Sequence, residues 1–208
     1  MTKKIICSLS VLFSLLLCIS CVSTQKTSTT ENSTKNEDVE VLEGFNTSTQ
    51  WKAVGKNWGD GDCSSTVSLS TEWFTEGESS LKGSFVKTPE TGGAATFFTE
   101  SIPIPDFTPY ETVLFDVNNP LSVPIEVSFA ITTGGSWEWY ESNVFSLEPG
   151  ESKDLQVDLY TNSLKCSLSG WQFTANLGDS DDVRRIAVKF QLPGNTEGSV
   201  FIDNIRVK

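Results

Sequence analysis

The chain has 208 residues, with 27 acidic side chains against 15 basic ones, a net charge of −12 and no histidine. An acidic surface repels nucleic-acid phosphates, which excludes nucleic acid as a partner. Without histidine there is no Ser-His-Asp triad and no His-ligated zinc site. In chain order, Lys3 and Lys4 precede an apolar run over residues 5–19 that ends at Ser20-Cys21. A charged start, an apolar stretch and a small residue make a secretory signal. The run is shorter than the roughly 20 residues that span a bilayer.

This opening resembles a bacterial lipoprotein signal, with Cys21 as the lipidated residue and Cys18 where leucine is usual. The resemblance implies a signal peptide over residues 1–20. It also implies an exported protein, lipid-anchored to a bacterial membrane on its periplasmic or cell-surface side. An ordinary signal peptide or an uncleaved anchor are the alternatives. Residues 21–40 have no apolar side chain between Val22 and Val39. They bury nothing and read as a flexible Ser/Thr-rich tether. Residues 41–208 are long enough for one domain with its own core. Two cysteines fall in that domain, Cys63 and Cys166. In an exported protein they either pair as a disulfide or stay as two buried thiols.

Within 41–208, strand follows strand. Residues 41–45 form a short first strand, and 51–63 are loop-like. Residues 66–70 and 80–86 alternate, 94–102 end before Pro103, and 112–117 close at Asn118-Asn119-Pro120. Over 125–132, Val127, Phe129 and Ile131 share one side, with Ser128, Ala130 and Thr132 on the other. Leu155, Val157 and Leu159 mark a later strand, Ile186 to Leu192 the next, and residues 200–207 the last. The one helical hint is Asp179 to Asp182, a cluster suited to capping a turn. About ten short strands separated by turn signals predict an all-β, two-sheet antiparallel sandwich or barrel.

Glu76-Gly77-Glu78-Ser79-Ser80-Leu81-Lys82 resembles an early strand of jelly-roll carbohydrate-binding modules. Phe115-Asp116-Val117-Asn118-Asn119-Pro120 is similar to their mid-domain strand end. Asp182-Val183 with the Ile186–Val188–Phe190 strand, followed by Phe201-Ile202-Asp203-Asn204-Ile205-Arg206-Val207, is similar to their closing pair. These motifs run in order over nearly all of 41–208. The resemblance implies a galactose-binding-like jelly roll. It also implies a structural calcium where the first strand meets the last, matching Asp203 with Glu43, Asn46 and Glu78. Calcium takes six to eight oxygens, so carboxylates on neighbouring strands suit it. Asn46 stands where the family commonly has glutamate. The alternative is that Asp203 accepts backbone hydrogen bonds only.

The candidate binding residues cluster at Gly134-Gly135-Ser136-Trp137-Glu138-Trp139-Tyr140-Glu141. Sugars stack flat C–H patches on aromatic rings and bond planar polar side chains. A two-residue Gly134-Gly135 loop pairs Thr132 with Trp137, Ala130 with Trp139 and Ser128 with Glu141. That points both tryptophans away from the core. A three-residue loop reverses the faces. The resemblance places the Ile186 strand alongside, adding Arg185, Lys189 and Gln191 to Trp137, Trp139, Glu141 and Ser128. Trp58 offers an alternative loop-end site, while Trp51 and Trp73 look like packing. Glu138 and Glu141 fall on opposite faces and make no glycosidase pair. Glu141 with Asp116 is a pair that composition alone allows. The Glu-x-Asp-x-x-Glu strand of jelly-roll glucanases is absent. The sequence therefore predicts a non-catalytic, membrane-tethered carbohydrate-binding domain. The alternative is a structural or adhesive envelope domain that binds a protein partner.

Overall fold

The computed structural model describes residues 39–46, 49–55 and 62–208, all within the compact unit Glu37–Lys208. The signal peptide, Cys21, nearly all of the tether and Trp58 lie outside the described residues. The strands are β1 (Glu40–Glu43), β2 (Lys52–Ala53), β3 (Ser64–Ser70), β4 (Ser80–Lys87), β5 (Ala94–Thr99), β6 (Thr112–Asn119), β7 (Ile125–Thr133), β8 (Glu138–Ser142), β9 (Phe145–Leu147), β10 (Gly150–Asp158), β11 (Leu164–Lys165), β12 (Val183–Gln191) and β13 (Thr196–Val207). They form two antiparallel sheets. Sheet I has the order β10-β6-β13-β4-β3, with β1 also on β13. Sheet II has the order β11-β8-β7-β12-β5-β2, with β9 also on β7. The all-β sandwich expected from the alternation is the fold found. No helix forms at Asp179 to Asp182. Asp179 sits at φ 45 and starts a turn closed by the Asp182 amide on its carbonyl.

The core lies between the sheets, where period two sends alternate side chains inward. Phe115 on β6 meets Phe129 on β7 at 5.3 Å between ring centres, so this pair joins the two sheets. Gly83 on β4 faces the Phe97 ring; a Cβ there would lie 2.3 Å from it. Strand β13 carries a bulge that shifts its register on β6 by one residue between Asp203 and Arg206. Asn204 at φ 51 absorbs one residue, so Ile202 and Ile205 are both buried although they are three apart.

The disulfide alternative is corrected: Cys63 and Cys166 are both free and buried. The Cys63 amide bonds Ala94 at β5, while Cys166 follows β11 at the far edge of sheet II. Four strand steps separate β11 from β5, about 19 Å at the usual spacing, and a disulfide spans less than about 7 Å between Cα atoms.

Candidate functional site

The turn between β7 and β8 has four residues, not two. Thr133 pairs with Glu138, Thr132 with Trp139, Ile131 with Tyr140 and Ala130 with Glu141. The predicted register is therefore wrong by two residues. A shift of two preserves the face, where a shift of one would reverse it. Trp139 and Glu141 stand on the outer side of sheet II, and Tyr140 is buried in the core with Ile131. Trp137 is not on the strand. It occupies the turn at φ 57 and is 45% exposed. Gly134, at φ 67, is required there, because a Cβ would meet the Asp179 carboxylate at 2.2 Å.

The outer face can be followed in rows across the strands. One row runs from Lys165 through Glu141, Ala130 and Ala187 to Phe98 and Lys52. The two alanines leave room above them, and Glu141 fills it. Its carboxylate receives the Trp139 indole N–H at 3.2 Å and the Ser128 hydroxyl at 3.2 Å. Lys165 Nζ lies 3.1 Å away and Lys189 Nζ 3.5 Å away. Glu141 is only 5% exposed. Burial pushes its carboxyl up, but the Lys189 and Lys165 ammonium groups outweigh that and hold it below its ordinary value. Glu141 is thus an internal tie that fixes Trp139 and two lysines, not an accessible hydrogen-bonding group. Beside Trp139, Thr132 is buried and its hydroxyl has no hydrogen-bond partner among the described residues.

Arg185 stands opposite Thr132. Its guanidinium lies 4.8 Å from the Phe98 ring centre and 5.2 Å from that of Trp137, and it is ion-paired with Glu100. Cation–π contact on two sides sets both Arg185 and the turn tryptophan in place. In the opposite direction, Lys189 faces Ser128 and Gln191 faces Glu126. Gln191, Glu126 and Ser146 line a pocket of about 270 Å³. From Trp139 to Gln191 the face runs about 20 Å, at two residues per row. All seven predicted binding residues therefore lie on one outer face or its rim.

Glu138 faces the opposite way from Glu141. It accepts the Ser167 amide at 2.8 Å and the Ser167 hydroxyl at 2.6 Å, and the hydroxyl chiefly lowers its carboxyl. The two glutamates do not converge. The Glu141–Asp116 pair is also ruled out. Asp116 belongs to sheet I, where it bonds Thr75 and the Asp154 amide, with the core between it and Glu141.

The predicted metal ligands lie at sheet I. Asp203 pairs with Asp116 across β13 and β6. One Asp203 oxygen accepts the amides of Thr75 at 2.7 Å and Glu76 at 2.9 Å. The other, Oδ1, is buried with no hydrogen-bond partner among the described residues. Burial pushes the carboxyl up against the amides that lower it. Glu43 accepts the Phe45 amide, and Asn46 Oδ1 accepts the Glu78 amide at 3.0 Å. Among the described residues no three Cys, Asp or Glu form a metal-holding group. The orphaned Asp203 oxygen is what fits an oxygen-seeking cation. Trp51 is buried against Phe45 and Trp73 rests on Phe201, both as packing.

A family model described as mannanase, galactose-binding domain-like, matches residues 43–204. The chain belongs to that family. No curated protein sequence matches it. Among solved structures, a family 11 carbohydrate-binding module of a cellulosomal cellulase from Clostridium thermocellum is similar at TM-score 0.56 and 13% identity. The match covers 82% of this chain and 94% of that one. CBM27-1 of Caldicellulosiruptor saccharolyticus, solved with mannohexaose, is similar at TM-score 0.52 and 15% identity, covering 82% and 97%. An exo-β-agarase matches at TM-score 0.57 and 12% identity over 81% of this chain but 24% of its own, so the likeness is to one part of that enzyme. At these identities the likenesses establish the fold alone, a jelly-roll β-sandwich.

Sequence reasoning missed Lys165, Phe98 and Glu100. Phe98 was legible, since adjacent phenylalanines on a strand must face opposite sides and Phe97 is core. Lys165 was not: β11 has two residues, too few to show a period.

Proposed function

We propose that this mannanase galactose-binding-like domain binds a glycan on the outer face of sheet II and performs no chemistry itself. The reading rests chiefly on one observation. Trp139 stands outward and is tied by its indole N–H to a buried carboxylate that also holds Lys165 and Lys189. An aromatic held by a buried hydrogen bond is pre-organised, so less ordering cost attaches to stacking a ligand on it. Glu141 serves as a positioning residue, and Ser128, buried with its hydroxyl on Glu141, belongs with it; Trp139, Trp137, Arg185, Lys189 and Gln191 remain the candidate contacts. The lipoprotein-like opening supports export and a lipid anchor at a bacterial membrane, which would leave the domain tethered where polysaccharide is met. Tryptophan fluorescence titrated with mannohexaose and with the β-1,3-1,4-mixed-linked tetrasaccharide solved with a related module tests the reading. A saturable change with at least one is expected, and none with either would overturn it.

We also propose a structural calcium centred on Asp203; among the described residues Glu43, Asn46 and Glu78 are not gathered with it into a metal-holding group, so backbone carbonyls and water would complete the oxygen shell. The buried Asp203 Oδ1, with no hydrogen-bond partner among the described residues, supports it. Bound to the folded state only, the cation stabilises by mass action. Adding a chelator should then lower Tm, and restoring calcium should recover it. A Tm unmoved by chelator contradicts the site.

A further inference from the structure

The hairpin after β11 is not accounted for by the sandwich. Leu164 and Ala175 bridge each other, with amide-to-carbonyl bonds of 3.1 and 2.9 Å in the two directions. Between them, Leu168 is 82% exposed, Trp171 53% and Phe173 41%. Three large apolar side chains bared within six residues, on a chain of net charge −12, mark a contact surface. The hairpin is held, not loose. Glu138 accepts both the amide and the hydroxyl of Ser167, and the Trp171 amide bonds the Cys166 carbonyl at 2.9 Å. Trp171 itself sits at φ 62, a conformation uncommon for a bulky residue.

The hairpin is also wired to the glycan face. Lys165 Nζ lies 5.2 Å from the Phe173 ring centre and 3.1 Å from Glu141. Glu141 in turn holds the Trp139 indole. One ammonium and one carboxylate thus set Phe173 and Trp139 in a fixed relation. On the other side, Glu138 ties Ser167 next to the turn that carries Trp137.

We propose that the Leu164–Ala175 hairpin is a side wall of the glycan groove, and that Trp171 and Phe173 stack further sugar units beside the one on Trp139. This rests on the glycan reading above and extends it. The ligand is an oligosaccharide long enough to reach from Trp139 across Lys165 to the hairpin. Continuity with the Trp139 face favours a glycan over other occupants of an apolar tip.

Calorimetry with the full chain tests the wall, using whichever of mannohexaose and the mixed-linked tetrasaccharide the wild type binds more tightly. Trp171→Ala/Phe173→Ala should weaken binding about tenfold, the scale of losing a well-packed interface aromatic. Phe173→Ala alone, should the double variant fold poorly, should weaken it several-fold. Unchanged affinity in a folded variant overturns the wall while leaving the Trp139 site standing. Absence of binding by the wild type overturns the underlying glycan reading, and the wall with it. A parallel arm uses phosphatidylglycerol vesicles. If the variant keeps its glycan affinity but loses vesicle binding that the wild type shows, the hairpin is a membrane contact and the proposal fails.

Discussion

Replacing Glu141 by alanine is expected to destabilise the protein by about 3 kcal/mol. The side chain is buried on the outer face of sheet II with four partners: the Trp139 indole, the Ser128 hydroxyl, Lys165 and Lys189. Removing the carboxylate takes away the anion that Lys165 and Lys189 share and the acceptor that Glu141 offers the Trp139 indole N–H. Both lysines remain partly exposed and can turn toward water, which keeps the cost at the low end for a broken buried pair. For a domain of this length that corresponds to a fall in Tm of about 6–12 °C. A change under about 2 °C would show that the network contributes little.

The same carboxylate gives a pH signature. Its folded-state value lies below the unfolded value of 4.5. Its contribution is therefore present above pH 4.5 and is lost as pH falls through the lower folded value. Glu141→Gln keeps the volume but cannot titrate. Its Tm should lie below wild type at neutral pH and fall less steeply on acidification. A variant with the full wild-type acid slope would place that slope on other carboxylates.

The second large effect is on binding. Trp139→Ala is expected to weaken glycan affinity by about 2 kcal/mol or more, about thirty-fold, as for an interface hot spot. Trp139 is partly exposed and held in one orientation by Glu141, so its ring face is the group whose loss removes most stacking. Trp139→Phe keeps a ring but loses the N–H to Glu141, and an intermediate loss is expected. Equal affinity in the alanine variant would move the site off this strand.

Much of the sandwich was legible. Val127, Phe129 and Ile131 alternate with Ser128, Ala130 and Thr132, and no helical period competes with that pattern. The strands that escaped notice, β2, β9 and β11, have two or three residues and form only because longer neighbours offer open edges. The hairpin register was misjudged because Gly134-Gly135 read as a complete two-residue loop. A tryptophan taking positive φ is not a signal that sequence carries, yet Trp137 does so and lengthens the turn to four residues. The facing survived because the error was an even number. Burial of Glu141 was not legible either. It depends on Lys165, from a strand without a pattern, and on small residues of β7 and β12 lying side by side.

The proposed glycan site is the outer face of sheet II. An amide NMR titration with mannohexaose tests it most directly. Shifts concentrated at Thr132, Trp139 and its indole N–H, Glu141, Arg185 and Lys189 are expected. Shifts confined to the outer face of sheet I, at Ser84, Ser199 and Phe201, would contradict it.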